Sequence, residues 1–488
     1  VKFIAMKTGT SKRRLRRCFN ARLFVLGGVC RPAWFLPSLL VGLGMMLAGP
    51  VAAQTFRTLH GFTNGIDGAY PFAGLTLSGN TLYGVAVFGG SAHDGTVFAL
   101  NTDRTGFTTL YSFTNGTDGA DPKGGLVLSG NTLYGTASTG SSLGAGTVFA
   151  LNTDGSGFRT LHQFAKQSNS PPFTNSDGAN PQGALILSAN TLYGTTQYGT
   201  GSDGGTVFAV NIDGTGFTNL HNFAAISPPN YTNSGGAGPY AGVILSGNTL
   251  YGTAYEGGSS GFGTIFKLNT NGSGFTTLHN FSNGSDGAYP YAGLTLSGNT
   301  LYGVTQSSNA VFKINTDGSG FTTLFTFPNS SEGAVPDGAL ILSGNTLYGT
   351  AYEGDSSGHG GVFKVNIDGS GFANLYRFTG GTDGANPVGG LILSDYTLYG
   401  TAYGGGSSEK GTVFSLSLPA PSQLAILRSG TNVILTWPTI FAGFTLESTT
   451  NLSPEVWITG SPGPVVVNGQ NTVTNPISGT QQFYRLSQ

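Results

Sequence analysis

Sulfur and charge are scarce in this sequence. Of its 488 residues only two are Cys and three are Met, all within the first 53. From residue 54 onward there is no thiol, which excludes a disulfide framework, a Cys-ligated metal site and a Cys nucleophile. Charged residues make up only 9 %. Residues 1–53 hold nine of the basic ones and no acid, so the remainder carries 12 basic against 22 acidic side chains, a net charge of −10. That leaves no basic surface for nonspecific contact with nucleic acid or anionic membrane. Trp is missing from residues 54–436, and no stretch there carries a helix-period apolar face. What is abundant is Gly, with 81 residues. It recurs in a long repeat interleaved with Leu, Val, Phe and Tyr, which excludes collagen and disorder.

The first 53 residues run from a basic segment (Lys12-Arg13-Arg14-Leu15-Arg16-Arg17) through an apolar one (Ala33 to Ala48) to Val51-Ala52-Ala53. Basic, apolar, then small is the order of a signal peptide cut before Gln54. Residues 1–53 are therefore expected to be removed, and the product to be extracellular or held at the cell surface, with no membrane span after removal.

Leu-Tyr-Gly recurs with its Tyr at 83, 134, 193, 251, 302, 348 and 399, and Val/Ile-Phe with its Phe at 98, 149, 208, 266, 312, 363 and 414. Each unit reads as four short strands. In the first unit these are Gly74–Ser78, Thr81–Gly84 across a Gly79-Asn80 hairpin turn, Gly95–Leu100 and Phe107–Tyr111. Four antiparallel strands in about 50 residues is the pattern of a propeller blade. A fourth strand is missing after unit 7, while an extra one, Thr55–Phe62, stands at the other end. The expected fold is all-β: a seven-bladed β-propeller over 55–418, its last blade completed by the N-terminal strand, which removes two exposed sheet edges.

The blocks Gly-Asn-Thr-Leu-Tyr-Gly, Gly-Thr-Val-Phe and Asn-Thr-Asp-Gly-Ser-Gly-Phe resemble the GloVer tandem repeat of bacterial "choice-of-anchor" exported proteins. The resemblance spans about residues 55–418 and implies an exported repeat protein; it brings no activity and no catalytic residues. Pro419-Ala420-Pro421 marks a linker (419–422). Beyond it, Val433–Trp437 and Phe444–Ser448 alternate, and residues 423–488 look like a small fibronectin III-like β-sandwich.

No catalytic constellation stands out, and none is assigned. His60, His162, His221 and His279 occupy one repeat position that Tyr111, Phe325 and Tyr376 fill elsewhere, which points to packing. Each entry loop reads Asp-Gly-Ala-x-Pro, its acid being Asp67, Asp118, Asp177, Asp286, Glu332 or Asp383, with Gly235 in unit 4. Such acids either cap their own turns or, gathered at one mouth, hold a structural cation such as calcium; no other cofactor is implied. The loops after Leu-Tyr-Gly carry Phe88, Tyr198, Tyr255, Tyr352 and Tyr403. The entry loops carry Tyr70, Phe72, Tyr240, Tyr289 and Tyr291, and insertions in units 3 and 4 add Phe173 and Tyr231. Aromatics beside Asn, Asp and Glu suit stacking on sugar rings or anchoring of a protein loop. The expected role is a monomeric, non-catalytic module binding polysaccharide or a cell-surface protein. The alternatives are a lyase or glycosidase at the channel mouth, or a purely structural surface or matrix protein.

Overall fold

The computed structural model describes residues 4–5, 54–141, 143–166, 175, 177–199, 204–227, 229–327, 335–354, 358–419, 424–438, 445–450, 456–459, 462–467, 470–476 and 482–487. The expected signal peptide (save Ile4–Ala5), most of the expected linker, Phe173, Glu332 and Phe444 lie outside the described residues. The chain divides into two compact units, Gln54–Leu418 and Pro419–Gln488 with Val1–Ala53. Every element among the described residues is a strand; no helix is long and apolar enough to cross a membrane.

In Gln54–Leu418 the described strands form four-stranded antiparallel sheets in a propeller-like succession. The first comprises Thr76–Ser78, Thr81–Ala86, Thr96–Asn101 and Thr108–Ser112. Six more sheets follow the same plan. In the last, Ile392–Ser394, Thr397–Ala402 and Thr412–Ser417 take Thr55–Gly61 as their fourth strand, with Thr55 opposite Ser417 and Gly61 opposite Thr412. The register explains why the two sequence motifs travel together. Gly84 of Leu-Tyr-Gly sits opposite Phe98 of Val-Phe. A methyl on Gly84 would lie 2.5 Å from Phe98 Cζ, so the glycine is where the phenyl ring goes. The same pairing recurs at Gly135/Phe149, Gly194/Phe208, Gly252/Phe266, Gly303/Phe312, Gly349/Phe363 and Gly400/Phe414. The second and third strands are covered on both faces, with Leu82, Val97, Phe98 and Leu100 fully buried. The innermost strand pairs only from Thr76, two residues later than its apolar pattern suggests. Before that point its backbone faces the neighbouring sheet, where a methyl on Gly74 would meet Gly390 O at 2.7 Å.

Three kinds of interaction join neighbouring sheets. At the outer strand a flat ring stacks on the Phe of the following unit: His60 on Phe107 (3.7 Å), Tyr111 on Phe158 (3.9 Å), His162 on Phe217 (3.6 Å) and His221 on Phe275 (3.6 Å). His279 on Phe321 (3.9 Å), Phe325 on Phe372 (4.1 Å) and Tyr376 on Phe56 (3.8 Å) continue the series. A position that accepts His, Tyr or Phe is selected for a planar ring. Nearer the axis, Thr136, Thr195, Thr253, Thr350 and Thr401 donate Oγ1–H to Gly183, Ala241, Ala292, Gly389 and Ala73 carbonyls in the next sheet. Units 1 and 5 have Val85 and Val304 at this place. The third interaction is the entry-loop proline, whose Cδ presses on a glycine of the preceding sheet: Pro239 on Gly205 and Pro71 on Gly411.

The C-terminal unit is built of two antiparallel sheets. One runs Ala425–Ser429, Asn432–Pro438, Gln470–Pro476, Val465–Val467; the other runs Ile4–Ala5, Phe483–Ser487, Thr445–Thr449, Ile458–Thr459. Val433, Leu435, Trp437, Leu446, Val473 and Tyr484 form its core, and Arg485 Nε donates to Glu447 Oε2 at 2.7 Å.

Gly205 tests the proline contact. Its φ is +89°, and a methyl there would lie 2.5 Å from both Pro239 Cδ and Thr196 O. Gly205→Ala is expected to lose about 2–3 kcal/mol of stability by urea unfolding, whereas Gly79→Ala, at a turn with open space, is expected to lose about 1 kcal/mol from its positive φ alone.

Candidate functional site

The innermost strands of the sheets in Gln54–Leu418 line an open cavity of about 390 Å³. Its lining includes one residue from each entry loop, the one directly after the unvarying proline: Phe72, Lys123, Gln182, Tyr240, Tyr291, Asp337 and Val388. The loop frame fixes that position. The residue before the proline is left-handed in the loops, with φ +58° at Tyr70, +58° at Tyr289 and +60° at Val335. Its N–H is tied to the preceding sheet, as in Tyr70 N–H to Lys410 O at 2.7 Å, and its carbonyl accepts from its own second strand, as in Val87 N–H to Tyr70 O at 3.3 Å. Proline then holds φ near −65°, so the next side chain enters the cavity whatever its chemistry. A repeated frame thus presents seven side chains of six kinds at one mouth.

Around them the aromatics form two arcs. Tyr240 meets Tyr291 at 5.1 Å and Tyr255 at 5.2 Å, and Tyr255 meets Tyr289 at 5.1 Å and Tyr291 at 6.0 Å. Tyr403 meets Tyr70 at 5.1 Å and Phe72 at 6.0 Å, and Tyr70 meets Phe88 at 5.9 Å. The structure therefore brings Tyr70, Phe72, Tyr240, Tyr255, Tyr289, Tyr291 and Tyr403 into these two groups. Tyr352 is tied to the entry loop by its N–H to Val335 O (2.9 Å). Tyr198 is exposed, and Tyr231, 56 % exposed in the unit 4 insertion, stands apart from both arcs.

Polar contacts order the mouth. Gln197 Oε1 accepts from Gln182 Nε2 (2.5 Å) and Asn180 Nδ2 (3.1 Å), while Gln197 Nε2 donates to the Tyr240 hydroxyl (2.6 Å). Gln306 Nε2 donates to Asp337 Oδ1 at 2.7 Å. Burial pushes the Asp337 carboxyl up to about 6, with nearby Glu353 adding to the rise and the Gln306 bond opposing it. Burial also raises Tyr240 to about 12 and lifts Tyr291 well above its usual range, the latter with help from Asp337. The sequence pattern pointed to the aromatics and not to Lys123, Gln182, Asp337 and Val388 in the lining or to Gln197 and Gln306 behind them. The signal lay in the sequence: the residue after the proline differs in nearly every unit while the proline never does.

The entry-loop acids lie elsewhere. None of Asp67, Asp118, Asp177, Asp286 and Asp383 lines the cavity, and no group of three or more His, Cys, Asp or Glu able to hold a metal forms among the described residues. Each carboxylate is occupied by its own loop and the outer strand. Asp67 accepts from Thr63 N–H (2.9 Å), Thr63 Oγ1–H (2.6 Å) and His60 Nε2 (3.2 Å). Asp118 accepts from Thr114 N–H and Tyr111 O–H, Asp177 from Ala165 N–H and His162, Asp286 from Ser282 N–H and His279, and Asp383 from Thr379 N–H and Tyr376 O–H. These bonds stitch the loop to the outer strand, away from the axis. Where unit 4 has Gly235, Asn233 takes over, accepting from Gly236 N–H (2.7 Å) and Gly258 N–H (3.0 Å).

His221 consequently lacks the acid its counterparts have, and burial alone drives its pKa down to about 4. A folded pKa below the unfolded 6.5 means that the unfolded chain binds the proton first. The contribution of His221 is therefore whole above pH 6.5 and lost as the pH falls toward 4. The half-exposed ring limits this to about 1–2 kcal/mol at pH 4.5. His221→Phe is expected to match the parent protein in urea unfolding at pH 7.5 and to exceed it at pH 4.5.

The family model of the Gloeobacter/Verrucomicrobia repeat matches three times in tandem, over residues 44–228, 171–310 and 306–431. No curated protein matches the sequence. Among solved structures, the extracellular domain of a putative hybrid two-component system from B. thetaiotaomicron is similar at 12 % identity and a TM-score of 0.48, over 84 % of this chain and 45 % of its own. An oligogalacturonate lyase in complex with manganese is similar at 11 % identity and a TM-score of 0.48, over 75 % of this chain and 96 % of its own. A putative 6-phosphogluconolactonase from Bacteroides uniformis is similar at 15 % identity and a TM-score of 0.42, over 85 % of this chain and 99 % of its own. With the tandem matches reaching from residue 44 to residue 431, the chain belongs to the Gloeobacter/Verrucomicrobia repeat family.

Proposed function

We propose that this protein is an exported, non-catalytic binding module. It is a seven-bladed β-propeller whose last blade is completed by the N-terminal strand, it carries a small fibronectin III-like sandwich behind it, and it holds a carbohydrate at the mouth of its channel. The blade count and closure are supported by the pairing of Thr55–Gly61 with Thr412–Ser417 and by the contacts of Thr401 and Gly411 with the first unit. Export is supported by the basic, apolar, small order of residues 1–53.

The observation that carries the binding reading is the mouth itself: seven side chains of six kinds on one repeated frame. Scaffold positions repeat; a position that the frame holds constant in geometry while its chemistry varies is one where the groups are used together. The cavity falls within the range of about 300–1,000 Å³ usual for small-molecule sites. Tyr255, Tyr289 and Tyr291 offer ring faces for the C–H side of a sugar, and Gln182, Tyr240 and Asp337 offer hydrogen bonds for its hydroxyls.

One observation favours a catalytic version of the same site. A carboxyl near pKa 6 beside a second acid is suited to give up a proton at neutral pH. Conversion of a bound glycan to product, lost in Asp337→Asn with binding retained, would move the protein to the glycosidases or lyases.

A glycan array followed by titration of the best ligand tests the reading. Tyr255→Ala is expected to weaken binding at least tenfold with the unfolding midpoint held within a few degrees, whereas Tyr231→Ala is expected to change it less than twofold. Absence of binding to every glycan overturns the proposal.

A further inference from the structure

Hydrogen-bond supply and demand in the mouth go further than a sugar of unspecified charge. Lys123 is the one basic residue lining the cavity, and it has no hydrogen-bond or ion-pair partner among the described residues. Three other lysines of the unit are engaged: Lys410 Nζ donates to the Tyr70 hydroxyl (2.8 Å), and Lys267 and Lys313 reach Thr316 O and Ile367 O (3.4 Å each), while Lys166 and Lys364 lie outside the cavity. The Tyr240 oxygen already accepts from Gln197, so its own proton is left to donate outward. Gln182 spends one N–H on Gln197 and keeps the other. The Tyr291 hydroxyl has no partner among the described residues, although burial raises its pKa. Against these donors stand few acceptors, chiefly the second oxygen of Asp337 and the carbonyl of Gln182.

We infer that the group seated in the channel mouth is an anion carried by a sugar, a carboxylate or a sulfate, held by Lys123 with the Tyr240 and Tyr291 hydroxyls. The inference rests on the carbohydrate reading above and narrows it. A neutral sugar brings as many donors as acceptors and leaves the Lys123 ammonium without a counter-charge. An anion satisfies the ammonium and the outward O–H groups together, through charge-assisted bonds that are stronger than neutral ones. The acids that would repel it include Asp337 and Glu353 on unit 6, Glu256 on unit 4 and, two residues before Lys123, Asp121; Asp337 resists ionisation through burial, and Asp121 Oδ2 is occupied by Thr139 Oγ1–H (2.8 Å).

Calorimetric titration of the purified protein separates the cases, using oligomers of galacturonic acid, the same oligomers with every carboxyl reduced to the alcohol, and a sulfated dextran oligomer of equal length. At least one anionic oligomer is expected to bind tenfold or more tightly than the reduced one, and that preference is expected to shrink as salt rises from 0.05 to 0.5 M. The uronate and sulfate arms tell which anion is preferred. Lys123→Gln is expected to bring anionic and neutral affinities together, Lys123→Arg to keep the preference, and Tyr240→Phe to weaken anion binding severalfold with stacking retained. Unfolding midpoints check that each variant is folded; should Lys123→Gln not fold, the arginine variant and the salt series decide. Equal affinity for acidic and reduced oligomers, or an unchanged preference in a folded Lys123→Gln, overturns the inference and leaves the carbohydrate reading standing. Failure of every oligomer and every arrayed glycan overturns both.

Discussion

The structure depends on how one sheet is keyed to the next. At each junction an aromatic ring lies flat on a Phe at the rim, while at six of them a proline also sits against a glycine of the preceding sheet. The rim contact tolerates several residues because only planarity matters: His60 and Tyr376 do the same task as Phe325. The axial contact is narrower: glycine holds it in six units, and Asn309, itself left-handed at φ +43°, stands there in unit 5. A side chain at Gly205 or Gly411 would collide with the proline ring and with backbone carbonyls. The wide end of each sheet is thus chemically free and the narrow end sterically fixed. That difference lets the entry loops stand in register with one another.

Register at the narrow end is what makes a site out of repeats. Seven copies of one loop would present the same group seven times if every position were scaffold. Here the scaffold stops at the proline, and the next residue ranges from Val388 through Phe72 and Tyr291 to Gln182, Lys123 and Asp337. The supports behind them differ in step. Gln197 bridges Gln182 and Tyr240, and Gln306 holds Asp337, where other units have Val87, Ser138, Tyr255, Tyr352 and Tyr403 at the corresponding place.

Much of this was legible in the sequence. The all-β class, the four strands per unit and the turn at Gly79-Asn80 follow from alternation and repeat spacing, and the strands fall within about two residues of those limits. The interchange of His with Tyr and Phe correctly pointed to packing, though its partner, a Phe one unit onward, is a contact between sheets that no local pattern encodes. The entry-loop acids could be read either as turn caps or as a cluster, because sequence gives their spacing but not their distance from the axis. The structure puts Asp67 against His60 on the outermost strand, and Asp337, an acid outside the repeat pattern, in the cavity. A residue that breaks the repeat was the better guide to the mouth than the residues that keep it.

Thr55–Gly61 bonds to Thr412–Ser417 from the opposite end of its unit. Among the described strands of Gln54–Leu418, the other sheets are each built from strands consecutive in sequence and can assemble as soon as those residues are available. The final sheet cannot, and loop closure over such a span is slow compared with hairpin formation. Until Thr412–Ser417 has been made and has found it, Thr55–Gly61 is an unpaired strand. The interval between synthesis and completion is therefore when this molecule is most open to pairing with a neighbour, and its folding yield should depend more on that one late encounter than on the stability of any repeat.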